Sequence, residues 1–72
     1  MTITAEYIGD LDKEKHEKIV EASGADSHDS TYHLSSKTHR LKFKAPDQAT
    51  ADLMRDRIEH TGIEFSKLAI SE

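Results

Sequence analysis

The sequence predicts a small α+β domain in the order β-α-β-β-α-β. Three observations point there: period-two apolar alternation at both ends and in the middle, two amphipathic stretches between, and isolated glycines after each. Seventy-two residues suffice for one domain, residues 1–72, with a thin core. One third of the residues are charged, but net charge is only −4 and the apolar positions are periodic, which argues for a fold over disorder.

In residues 2–8, Ile3, Ala5 and Tyr7 alternate with Thr2, Thr4 and Glu6, a strand with one buried face. Gly9 and Asp10 end it. Asp10 or Asp12 can cap a helix from Leu11 to Ser23, with Leu11, Lys15, Ile19 and Ala22 along one stripe widened by Val20. Gly24 fits the position after that helix. Residues 25–30 read as a polar loop. A short strand over 31–34 puts Tyr32 and Leu34 on one face and Thr31 and His33 on the other, and Ser35 to Thr38 form a turn cluster. From His39 to Ala45, Leu41, Phe43 and Ala45 point inward, while Arg40, Lys42 and Lys44 point outward, completing a hairpin.

Pro46 suits a first helical turn, and Asp47 adds favourable charge to the N-terminus of a helix over 48–61. Its stripe is Thr50, Leu53, Met54 and Ile58, with Ala51 beside it. Gly62 stops it, and Ile63 to Ile70 closes the chain as a strand. The alternation there changes phase between Phe65 and Leu68. Either a bulge at Ser66 and Lys67 reconciles the halves, or Ile63 belongs to the connection. Interleaving two right-handed β-α-β crossovers puts both helices on one face of an antiparallel sheet, the two-layer ferredoxin-like sandwich. A β-α-β-α-β chain without the 31–34 strand is the competing arrangement.

Charge is unevenly distributed. Residues 1–30 carry eight acids against three lysines, whereas residues 31–45 carry Lys37, Arg40, Lys42 and Lys44 and no acid. With one sheet face open, Arg40, Lys42 and Lys44 would stand on it beside His33, Thr31, Thr2, Thr4 and Glu6. These residues form a basic stripe in an acidic protein, suited to phosphate or acidic side chains. Basic residues on a strand also simply keep it soluble. Open-face aromatics, on which bases of RNA would stack, are scarce: of four aromatics, Tyr7, Tyr32 and Phe43 lie in the core phase and only Phe65 is ambiguous.

Five histidines invite a metal reading, but none are paired at helical i,i+4 spacing and no His-x-His shares a strand face. Ser35, Ser36 and Thr38 near His33 and His39 are weak nucleophile candidates, because turn hydroxyls beside a histidine are common. The glycines are isolated, so no phosphate-cradling loop exists. No catalytic residue, metal site or cofactor is expected. Cysteine is absent, and no apolar stretch approaches membrane-spanning length. The expectation is a cytoplasmic, non-enzymatic interaction module. It would bind a protein partner, or a second copy of itself, through the open sheet face and the 31–45 hairpin, with Lys37, Arg40, Lys42, Lys44 and His33 as contact residues. The alternative is anion or nucleic-acid binding through the same basic stripe.

Overall fold

The computed structural model describes residues 1–72 and has the expected order. The elements are β1 (Thr2–Ile8), α1 (Lys13–Ser23), β2 (His28–His33), β3 (Thr38–Lys44), α2 (Gln48–Glu59) and β4 (Lys67–Ser71). They build one antiparallel sheet in the order β2-β3-β1-β4, the ferredoxin-like arrangement. Because β1 and β3 are central, β2 and β4 are its two edges.

The alternation read from the sequence decides which face is buried. Ile3, Ala5 and Tyr7 of β1 and Leu41 and Phe43 of β3 form one cluster with Ile19 of α1 and with Ala51, Met54 and Ile58 of α2. Both helices therefore cover the same face of the sheet. The cluster is small, so each member matters. Truncating a fully buried Phe43 to alanine removes about 3–5 kcal/mol, a large fraction of what a domain this size possesses at about 0.05–0.15 kcal/mol per residue.

Local chemistry sets the boundaries. Asp12, not Asp10, is the N-cap of α1, its carboxylate accepting from the Lys15 amide at 3.1 Å. At the other end Gly24 adopts φ +70°, and its N–H donates to the Glu21 carbonyl. Ser23, which the apolar pattern passed over, is buried there. Its hydroxyl donates to the Val20 carbonyl at 2.7 Å and accepts from the Ala25 amide at 3.2 Å, so the last turn leaves no polar atom of this side chain unpaired.

Several expectations are corrected. Leu11 precedes α1 and is 73% exposed rather than lying on its buried stripe. Strand β2 begins at His28, so half of the expected 25–30 loop is strand. Leu34 belongs to the following turn, 78% exposed. The 28–30 segment gives no strand signal in sequence because its side chains, His-Asp-Ser, carry no apolar alternation. The strand is held by its backbone bonds to β3. Pro46 stands outside α2: Asp47 is the cap, accepting from the Thr50 amide at 2.7 Å, and the helix ends at Glu59 rather than Thr61. Leu53 is about half exposed. Strand β4 starts at Lys67, so Ile63 and Phe65 lie in the connection, and Leu68 and Ile70 face inward opposite Ala5 and Ile3. The phase change in the sequence marks the end of a loop, not a bulge. No helix is long and apolar enough to cross a membrane.

Candidate interaction surface

The registers place Thr38, Arg40, Lys42 and Lys44 of β3 on the open face opposite Ile8, Glu6, Thr4 and Thr2 of β1. On the other side of β3, Thr31 pairs with Arg40, His33 with Thr38 and Asp29 with Lys42. The expected residues thus meet on one face, with Lys37 apart in the turn.

Acids interrupt this basic stripe. Glu6 sits between Arg40, at 3.5 Å from Nε, and Lys67, at 4.0 Å from Nζ, and its side chain is only 15% exposed. Asp29, assigned to a loop by its sequence, stands directly across from Lys42. Lys37 has φ +54°, a left-handed backbone, and its ammonium bonds to Asp10 at 2.8 Å. Only Lys42 and Lys44 remain without an ion pair. A shallow recess of about 210 Å³ lies among Asp29, Ser30, Thr31, Arg40 and Lys42, and its lining is of mixed sign.

Edge strand β2 offers a different kind of surface. Its outer side has no partner strand, and its helix-side face is poorly covered: His28 and Ser30 are exposed and Tyr32 is only half-buried. Between β2 and α1 runs a recess of about 460 Å³ lined by His16, Glu17, Val20, Glu21, Gly24, Ala25 and His28. A second, of about 270 Å³, includes Leu11, His16, Tyr32, His39 and Leu41. The sheet is wider than its two helices can roof, and β2 is the strand left out.

Three histidines line this margin. His39 is buried, stacked on Tyr7 at 4.4 Å with Tyr32 on its other flank at 4.5 Å. Its Nε2 lies 2.9 Å from the Gly9 carbonyl, an acceptor, so Nε2 carries the proton and donates. His16 and His28 approach to 5.5 Å between ring centroids. His16 is pushed below the ordinary histidine value, first by burial and then by His28 and His39, with Glu17 pulling the other way. This gathering was not legible in the sequence, because His16 comes from a helix and meets the strand histidines only through the fold. No three histidines and carboxylates converge where a metal ion could sit.

The fold and this surface define a class: a two-layer α+β module whose unroofed edge strand is its most accessible structural feature. The chain matches no protein-family model, no curated protein and no solved structure.

Proposed function

We propose that this chain is a non-enzymatic interaction module that binds a protein segment through the β2–β3 hairpin, with edge strand β2 as the docking element. The observation that carries the reading is that β2 combines an unpaired backbone edge with an uncovered helix-side face. Strand addition at such an edge supplies main-chain hydrogen bonds, while alternate side chains of the incoming strand enter the adjoining recesses. Unused edges are normally blunted by lysine, proline or a bulge. Strand β2 has neither lysine nor proline, and its register with β3 runs unbroken from His28 to His33. Edge β4 is better defended. Lys67 opens it, and its inward residues Leu68 and Ile70 pack against the core.

The test uses immobilised protein to select random displayed linear peptides, in parallel with a Ser30→Lys/Thr31→Lys double variant that guards the edge at two exposed positions. Peptides of alternating apolar and polar residues should enrich on the wild type and not on the variant. Equal enrichment on both, or none on either from a protein that is also monomeric, would remove β2 as the docking element.

The recess among Thr31, Arg40 and Lys42 supports a second reading, anion binding. It predicts that inorganic phosphate or an oligonucleotide shifts the amide signals of β3 at low salt. The shifts should vanish in an Arg40→Ala/Lys42→Ala/Lys44→Ala variant and weaken as salt rises. Glu6 and Asp29 on the same face make it the weaker of the two.

A further inference from the structure

Resting on the reading of β2 as a docking edge, we propose that its occupant is a second copy of this chain, paired antiparallel across a two-fold axis at Thr31. The argument comes from register. When identical strands pair about a two-fold axis, choosing the residue on the axis fixes every other pair. Side chains alternate between faces, so an axis on a residue, rather than between residues, keeps open face with open face and helix face with helix face.

With Thr31 on the axis, Asp29 of each copy stands opposite His33 of the other, on the open face, twice. Thr31 meets its own counterpart, a favourable cross-strand pair. On the helix side Ser30 faces Tyr32. Lys42 and Arg40 face this side of β2 from β3, Lys42 directly across from Asp29, yet neither Asp29 nor His33 makes an ion pair within its own chain, so the two can pair across the axis. The same register brings Leu34, exposed in the turn, level with His28 of the second copy. That position is the mouth of the recess lined by Val20 and Ala25. An exposed leucine and an exposed apolar recess, both unexplained in one copy, thereby cover each other.

Moving the axis to Ser30 also preserves the faces, but it sets Asp29 against Thr31 and Leu34 against Asp26. Both complementary contacts are lost. An axis at Tyr32 sets Asp29 against Ser35 and His33 against Thr31, and again no acid meets a histidine. The Thr31 register joins two four-stranded sheets into one continuous sheet with all four helices on the same side.

The experiment is sedimentation equilibrium at about pH 6. It follows the wild type, Asp29→His, His33→Asp and an equimolar mixture of the two variants, with circular dichroism confirming that each is folded. The wild-type mass should rise with concentration from 8.1 kDa toward twice that value. Each variant alone opposes like groups at both pairs and should self-associate about tenfold more weakly. The mixture restores unlike pairs and should recover wild-type association as a heterodimer. Leu34→Asp should weaken association in every combination. A wild type that stays monomeric overturns the second-copy proposal. If peptides still enrich on its β2, the docking reading itself survives. Association that neither variant weakens, or that the mixture does not recover, overturns the register.

Discussion

Tyr7 lies near the C-terminal end of β1 with its ring fully packed, stacked on His39 at 4.4 Å and edge-on to Phe65 at 6.3 Å. Its phenol oxygen is buried and has no hydrogen-bond partner. A buried donor without a partner costs about 1–3 kcal/mol, because the same group is hydrated in the unfolded chain. Tyr7→Phe removes that oxygen and keeps every ring contact. Part of the gain is offset by the small void left behind, so a net stabilisation of about 1 kcal/mol is expected. For a domain this size that raises Tm by roughly 4–8 °C. Thermal unfolding by far-UV circular dichroism measures it, the chain having no tryptophan.

The alkaline limb gives an independent check on the same oxygen. Burial, and then the charge of Asp12, pushes the Tyr7 phenol above its ordinary value. The folded state therefore holds its proton more tightly than the unfolded chain. This contribution is complete below the unfolded value of about 10 and is lost as pH rises from there through the folded value. Tyr7→Phe should abolish that part of the alkaline loss. If Tyr7→Phe instead lowers Tm by the several degrees expected of a broken hydrogen bond, the oxygen has a partner and this account of the core is wrong.

Two further predictions concern the helices. His16 has a lowered folded value, so the unfolded chain binds more protons around neutrality. Its contribution to stability is present above the ordinary value of about 6.5 and is lost as pH falls through the window below it. His16→Gln should flatten the rise of the urea midpoint between about pH 5.5 and about pH 7.5, whereas His60→Gln should steepen it. The opposite sign follows because the Asp56 carbonyl and carboxylate hold His60 above its ordinary value. Gly24→Ala places a Cβ on a left-handed residue and 3.2 Å from the Arg57 guanidinium, and should cost about 1–2 kcal/mol in urea unfolding.

The core was legible because alternation and helical spacing report burial directly. Ile3, Ala5, Tyr7, Leu41 and Phe43 are buried as their alternation predicts, and Arg40, Lys42 and Lys44 stand on the open face as theirs does. What escaped was decided by tertiary geometry. Leu11 and Leu34 fit their apolar stripes in sequence, yet each lies just beyond its element, where no partner surface reaches. Asp29 was invisible as a strand residue because an uncovered edge strand needs no apolar pattern. That same absence of pattern hid β2 as a candidate surface. The basic stripe looked unopposed only because Asp29 and Glu6 are distant from it in sequence and adjacent in the sheet.

The central claim is that β2 is the edge at which this protein meets a second copy of itself. Backbone amide signals followed by NMR across a dilution series test this most directly. Signals of His28 to Leu34, with those of Val20 and Ala25 beside the recess, should shift together with concentration and exchange more slowly with solvent when concentrated, while those of Lys67 to Ser71 stay fixed. Shifts confined to β4 or to the open-face residues Arg40, Lys42 and Lys44, or none at any concentration, would contradict it.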